Sequence, residues 1–191
     1  EDAWQFLPIR ALNAKEDLAK SIVEDPKGRL WVGTQGAGLF RISADRSGIR
    51  HYNAEKTPGL QNNLVKGLTF GPHGNLWVAT DGGGLSIFDL DKETVKHVGY
   101  DPYDPQSVAS DATYALFKDN EGLVWVGTFD GGVSIFNPNH KAFHHIGRSL
   151  VTGKGLNHRS VLSFLEDKHG DIWIGTDGGG LNSWTPGSGH F

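Results

Sequence analysis

The chain alternates short apolar runs with turns rich in glycine and aspartate, and the apolar runs come in groups of four. The first group comprises residues 21–24, 30–34, 39–42 and 49–52. Its β-branched and aromatic residues suit a pleated surface, and the turns between the runs have hairpin length. No segment shows sustained helical periodicity. The pattern therefore predicts an antiparallel meander of four short strands.

The meander recurs along the chain, each time around one glycine-rich segment. At residues 74–85 this segment reads Gly-Asn-Leu-Trp-Val-Ala-Thr-Asp-Gly-Gly-Gly-Leu, and related copies occupy residues 28–39, 122–133 and 170–181. The tryptophans of successive copies are 46, 48 and 48 residues apart. A regular period of this length is the sequence signature of a repeat architecture.

Four-stranded units of about 40 to 50 residues are typical of β-propeller blades. We therefore predict an all-β fold, a β-propeller of four-stranded antiparallel blades with four repeats in this chain. The predicted blade repeats span about residues 17–52, 63–98, 111–146 and 159–191.

The two ends of the chain leave one alternative open. Residues 3–7 have the spacing of a fourth strand, and the last repeat stops within its own fourth strand at Phe191. The first run either completes the last blade and closes a small ring, or belongs to a preceding blade. The chain has no methionine and opens without a signal peptide, so we expect a mature or excised piece of a longer protein.

Composition excludes several classes of function. The net charge is −4 with no basic run, which argues against nucleic acid as a partner. No apolar stretch approaches the roughly 20 residues of a membrane span, so we expect no membrane insertion by this segment. The lack of cysteine excludes disulfides and thiolate chemistry.

The residues of the repeated segment are explained first by packing. Each tryptophan (Trp31, Trp77, Trp125, Trp173) gives its blade one large apolar anchor, and the small residue two places later leaves room for a neighbouring blade. The glycine run precedes a strand, whereas a phosphate loop needs a helix. His51, His97 and His145 recur on outer strands, too far apart for a metal site. We predict no metal, cofactor or catalytic residue.

A ligand would meet the loops on one face, where the turns after the second strands and the blade-to-blade linkers lie together. Loops on a fixed scaffold commonly carry function, although capping of turns by Asp and Asn explains many of the same residues. The candidate ligand-binding residues are Gln35, Asp81, Asp130, Asp177, Asn63, Asp111, Tyr114, Phe129, His158 and Arg159.

The repeat unit Asp-x-x-Gly-x-(Leu/Ile)-Trp-(Val/Ile)-Gly-Thr-x-x-Gly-Gly-Leu, most complete at residues 167–181, resembles the two-component regulator propeller repeat. Residues 101–108 are similar to the linker of that family. In the second copy, Gly71 stands in place of the turn aspartate and Ala79 in place of glycine. The resemblance implies a periplasmic sensor propeller of a membrane-spanning hybrid two-component protein, with a histidine kinase elsewhere in the parent chain.

Three hypotheses for function follow. The first is a signal-transduction sensor that detects oligosaccharides from polysaccharide breakdown, with Tyr114 and Phe129 as platforms for the sugar. The second is a propeller for protein interaction, through self-association of receptor chains or propeller fragments, without a small ligand. The third is a propeller lyase, for which the chain offers no recognisable histidine–glutamate set.

Overall fold

In the computed structural model, the described residues are 18–151, 153–186 and 188, and they form four antiparallel sheets in chain order. The strands of blade I are β1 (Ala19–Glu24), β2 (Leu30–Thr34), β3 (Leu39–Ile42) and β4 (Ile49–Tyr52). Those of blade II are β5 (Val65–Phe70), β6 (Leu76–Thr80), β7 (Gly84–Asp89) and β8 (Thr94–Val98). Those of blade III are β9 (Thr113–Lys118), β10 (Val124–Thr128), β11 (Val133–Asn137) and β12 (Ala142–Ile146). Blade IV has three described strands, β13 (Val161–Glu166), β14 (Ile172–Thr176) and β15 (Gly180–Trp184).

The sheets confirm the predicted all-β fold of four repeated meanders. Each strand pairs with the next in sequence, and the first strands β1, β5, β9 and β13 pack side by side in that order. Within the described ranges a single 3₁₀ turn, Pro72–Gly74, is the one helical element, and no helix there has the length and apolarity to cross a membrane. The predicted strand at residues 3–7 and the end at Phe191 lie outside the described residues.

The tryptophan of each of the first three blades packs against the following blade, as predicted. Trp31 shares a buried cluster with Leu68 and Phe88 of blade II, and Trp125 shares one with Val161 and Ile174 of blade IV. The equivalent cluster joins Trp77 to residues of blade III. Burial of such rings contributes much of the packing energy, so the indoles hold the stack of blades together.

The glycine two residues after Trp31 and after Trp125 admits the inner strand of the next blade. A Cβ atom built at Gly127 would lie only 2.7 Å from Cγ1 of Val161, and one at Gly33 would overlap Cγ1 of Val65. Either contact is shorter than real Cβ atoms tolerate. The glycine therefore allows the close approach that the prediction required.

An aspartate six residues before the tryptophan fixes the indole in three of the blades. The Nε1 atoms of Trp31, Trp125 and Trp173 donate to the Oδ2 atoms of Asp25, Asp119 and Asp167 at 2.9, 2.7 and 2.9 Å. Burial opposes ionisation of Asp25, but hydrogen bonds from the Trp31 indole and from Arg29 outweigh it and lower the Asp25 pKa. The hydrogen bond from Trp173 lowers the pKa of Asp167. The indole and the turn before it thus form one unit.

Blade II departs from this arrangement because Gly71 occupies the aspartate position. A Cβ atom at Gly71 would overlap Nε1 of Trp77, and its distance to Cε2 of the same ring would be 2.8 Å. The indole therefore fills the space that a side chain at residue 71 would need. Among the described residues no hydrogen-bond acceptor contacts the Trp77 indole nitrogen.

Backbone hydrogen bonds fasten each linker to the preceding blade. The amides of Gly38, Gly84 and Gly132 donate to the carbonyl oxygens of Asn63, Asp111 and Arg159 at 3.0, 2.8 and 2.9 Å. All three glycines have positive φ, between 63° and 84°, a conformation that L side chains rarely adopt. The glycine run is therefore required by the contact between blades.

The far face of blade IV is uncovered within the part of the chain that the structure describes. Leu39, Leu85 and Val133 occupy one matched position on β3, β7 and β11 and are 0% exposed, whereas the corresponding Leu181 on β15 is 62% exposed. Leu165 is also 62% exposed. This face carries the residues of a blade-to-blade contact without a described neighbour.

We expect Trp125→Ala to lower the free energy of unfolding by about 3–5 kcal/mol, because the indole is fully buried and holds Asp119. Trp173→Ala should cost clearly less, because Trp173 is only half-buried. Urea unfolding followed by circular dichroism measures both. Equal losses would mean that the far face of blade IV is covered in solution.

Gly71→Ala should destabilise the protein by about 1–3 kcal/mol, because the added methyl overlaps the Trp77 indole and the surroundings are closely packed. Gly147→Ala is the matched control. Nothing lies within 4 Å of a Cβ at that position, so its effect should stay within about 0.5 kcal/mol. The same urea titration compares the two variants, and an equal effect at both positions would contradict the packing described for blade II.

Candidate functional site

In each blade, the residue that follows the second strand is hydrogen-bonded to the residue that precedes the first strand, so the pairing of the two strands extends by one residue. The amides of Gln35, Asp81, Phe129 and Asp177 donate to the carbonyl oxygens of residues 18, 64, 112 and 160 at 2.9 to 3.0 Å. This matched set therefore lies at the same end of every blade. Phe129 takes the place that Asp81 has in blade II, and Asp130 follows it at the position of Gly82.

Four side chains from blades II and III meet at this end, and we name Lys66, Asp81, Tyr114 and Phe129 the rim cluster. The Tyr114 hydroxyl donates to Oδ2 of Asp81 at 3.1 Å, and Nζ of Lys66 lies 3.2 Å from the same oxygen. The Lys66 amine also lies 4.7 Å from the centre of the Tyr114 ring. The structure thus joins two predicted residues, Asp81 and Tyr114, by a hydrogen bond, and Lys66 contacts the same oxygen of Asp81.

Two aromatic rings form the accessible part of the rim cluster. The ring centres of Tyr114 and Phe129 are 5.4 Å apart with a tilt of 38°, a favourable arrangement for an aromatic pair. Phe129 is 47% exposed, whereas Tyr114 is half-buried. The Phe129 ring is therefore exposed to solvent while it packs against the half-buried Tyr114 ring.

The rim cluster lies in an acidic environment. Burial raises the pKa of Tyr114, and the hydrogen bond to Asp81 and the negative charges of Asp81, Asp130 and Asp177 raise it further. The phenol is therefore neutral at ordinary pH and remains a hydrogen-bond donor. Three of the predicted carboxylates act electrostatically on one tyrosine.

Other predicted residues have roles in the turns and linkers. Asn63 Oδ1 accepts from the amide of Ala54 at 2.8 Å, and Asp111 Oδ1 accepts from the amide of Tyr100 at 2.7 Å. The amide of Ser160 donates to Nδ1 of His158 at 3.2 Å. Gln35 and Arg159 are exposed. The structure does not bring these five residues into the rim cluster.

Sequence analysis missed Lys66. Its signal was positional, because Lys66 and Tyr114 are both the second residue of a first strand, the position also held by Lys20 and Leu162. Of the two candidates that follow β10, Phe129 rather than Asp130 occupies the position of Asp81. The aspartate–tryptophan hydrogen bond was a further omission.

The rim cluster offers an aromatic surface, a carboxylate, an amine and a phenol donor. Among the described residues, no group of three or more His, Cys, Asp or Glu side chains is placed to hold a metal ion. The four side chains can offer hydrogen bonds and ring contact, which suit a polar ligand with apolar faces.

Blades of this kind define the chain as a β-propeller protein. Three segments, residues 16–36, 107–130 and 155–178, match the model of the two component regulator propeller family. The three matched segments belong to blades I, III and IV, which are the blades with the aspartate–tryptophan hydrogen bond.

Solved structures share this fold at low sequence identity. The chain is 23% identical to the extracellular domain of BT4673 from B. thetaiotaomicron, with a TM-score of 0.75 over 97% of this chain and 26% of that one. For the extracellular domain of BT3049 from B. thetaiotaomicron, described as a hybrid two component system, the identity is 23% and the TM-score 0.58, over 86% of this chain and 26% of that one. The WD40 β-propeller domain of Doa1 is 14% identical with a TM-score of 0.61, over 88% of this chain and 50% of that one.

The chain therefore spans about a quarter of the length of the two B. thetaiotaomicron domains. At such identities the likeness establishes the fold alone. Comparison with curated protein sequences gives no match.

Replacing Asp81 by asparagine should lower the pKa of Tyr114 towards its ordinary value of about 10, because the hydrogen bond from the phenol becomes weaker and the negative charge at residue 81 is removed. A pH titration of phenolate absorbance, taken as the difference between the parent protein and Tyr114→Phe, measures this shift. Asp45→Asn changes the same charge on blade I and should leave the Tyr114 titration unchanged. Equal titrations in all backgrounds would contradict the contact between Tyr114 and Asp81.

Proposed function

We propose that the chain is part of the periplasmic sensor of a two-component signal-transduction receptor and that its rim cluster binds an oligosaccharide. The family match and the fold shared with extracellular domains support the sensor class. In this proposal a histidine kinase lies elsewhere in the parent protein, and this propeller has no catalytic role.

The observation that carries the ligand proposal is the half-exposed Phe129 ring held against Tyr114. A ring of this kind can cover the apolar face of a sugar, while carboxylate and amine groups bind its hydroxyls. Asp81 and Lys66 supply such groups within hydrogen-bonding distance of one another. Because Asp81, Lys66 and Tyr114 hold each other in place, the surface is largely preformed, which lowers the entropic cost of binding.

The position of the rim cluster suggests how binding is transmitted. Lys66 and Asp81 belong to blade II, whereas Tyr114 and Phe129 belong to blade III. A ligand that contacts both pairs stabilises one arrangement of the two blades over others, which is the thermodynamic requirement for a switch. In the proposed receptor this preference alters the pairing of receptor chains.

A second candidate function is protein interaction without a small ligand. The exposed leucines on the far face of blade IV favour it, because Leu165 and Leu181 are both 62% exposed. Contiguous apolar surface of this kind commonly marks a contact with another protein. In that case the assembly, rather than a sugar, would be the signal.

Isothermal titration calorimetry of the chain against cello-, xylo-, arabino- and malto-oligosaccharides tests the first proposal. We expect one class to bind, and Phe129→Ala to weaken that binding about tenfold, equivalent to roughly 1.4 kcal/mol. Tyr103→Ala is the matched control, since Tyr103 is an aromatic residue of the 98–111 linker that is 93% exposed.

Equal loss in both variants would show that the rim cluster is not the binding surface. If no oligosaccharide binds, the sedimentation velocity of the same sample distinguishes the two candidates. A concentration-dependent dimer that Leu181→Lys abolishes would then support the protein-interaction function.

A further inference from the structure

Three charged side chains, Arg41, Arg50 and Glu93, connect blades I and II on the outer side of their junction, and we name them the buttress. Glu93, in the turn between β7 and β8, accepts hydrogen bonds from Arg41 of β3 at 3.2 Å and from Arg50 of β4 at 2.7 and 2.8 Å. The Arg41 guanidinium also lies 5.8 Å from the centre of the Trp31 ring. One carboxylate from blade II thus bridges two cations of blade I beside the indole.

The junction between blades II and III has different residues at the matched positions. Ile87 pairs with Trp77 as Arg41 pairs with Trp31, and Lys96 pairs with Ile87 as Arg50 pairs with Arg41. Lys141 stands in the turn between β11 and β12 where Glu93 stands in blade II, and the two residues share a φ of 54° and 53°. A cation therefore replaces the only acid of the buttress.

A cavity of about 610 Å³ lies at this second junction, and we name it the groove. Its volume is within the size range of small-molecule sites. Lys96 and Lys141 line it, and its walls include Trp77, Phe136 and Phe143. These three rings contact one another with centres 5.2 to 6.4 Å apart. The cavity thus combines an aromatic wall with amines contributed by both blades.

Three donors of this groove, two amines and one indole nitrogen, have no acceptor in the described part of the chain. Neither Lys96 nor Lys141 has a carboxylate oxygen within 4 Å of its amine there, and the Trp77 indole nitrogen makes no hydrogen bond.

Asp101 and Asp104 also line the groove, but each accepts a hydrogen bond from a backbone amide of its own turn, from Tyr103 and Gln106 respectively, at 2.9 Å. His73 and His97 complete the titratable lining.

We propose that the groove between blades II and III binds a small organic carboxylate. The anion lies between Lys96 and Lys141, in the role that Glu93 has between blades I and II, and its apolar body contacts the aromatic wall. The two amines attract an anion and the carboxylates of Asp101 and Asp104 repel it, so the attraction is local to the amines, where a charge-assisted hydrogen bond is stronger than a neutral one. This site is separate from the rim cluster and does not depend on the oligosaccharide proposal.

Titration of the chain with benzoate and with benzamide tests the charge requirement, because the two probes share a ring and differ in the carboxylate. Nitrogen–proton correlation spectra should show benzoate shifting the backbone signals of Trp77, Lys96 and Lys141, with at least tenfold weaker binding of benzamide. Acetate, which has the charge without the ring, should also bind more weakly than benzoate.

Lys141→Glu should weaken benzoate binding at least tenfold, because the new acid can pair with Lys96 as Glu93 pairs with Arg50. Lys168→Glu makes the same charge change in an exposed turn of blade IV and should leave the affinity unchanged. Circular dichroism confirms that both variants fold. If Lys141→Glu fails to fold, Lys96→Gln is titrated instead and should show the same loss.

Equal binding of benzoate and benzamide, shifts that map outside the groove, unchanged affinity in the groove variants, or no binding of benzoate at millimolar concentration would each overturn the proposal.

Discussion

The packing of one buried indole against the next blade is the interaction on which the rest of the structure depends. Each sheet is narrow and hydrophobic on both faces, so no blade buries its own tryptophan. The glycine two residues later lets the neighbouring inner strand come close, and the aspartate before the turn fixes the indole nitrogen. The tryptophan, the glycine and the aspartate all act at the interface between two blades, so a change in any of them affects that interface rather than a single strand.

The sequence was sufficient to predict the elements that repeat. The tryptophan period, the turn glycines and the β-branched runs predicted four meanders, and the structure confirms them because local propensity and packing agree at every copy. The Asp81–Tyr114–Lys66 contact could not be predicted, because it joins residues of two blades whose relative rotation no local pattern encodes. Phe129 and Asp130 show a similar limit, since they stand at the positions of Asp81 and Gly82 and the repeat itself does not predict these two substitutions.

Blade II shows how a repeat protein acquires difference. Where the other described tryptophans of the repeat hold an aspartate, Trp77 fills the place of a missing side chain at Gly71. Next to it, Ile87 and Lys141 replace an arginine and a glutamate of the preceding junction. These changes leave the strand pattern intact while they alter what the junction exposes. Repeats that share one fold but differ at the junctions between blades can therefore present distinct surfaces.

The uncovered face of blade IV has a consequence for how the molecule loses its structure. In a stack of similar units, stability is a sum of terms for each unit and each interface between neighbours. Among the described blades, II and III each have two interfaces, whereas blades I and IV have one each. Local opening therefore has a lower free energy in these two blades than in blades II and III, and their amide hydrogens exchange earlier. Any molecule that covers Leu181 and Trp173 would slow the exchange in blade IV, so the dynamics of this one blade report on what binds beside it.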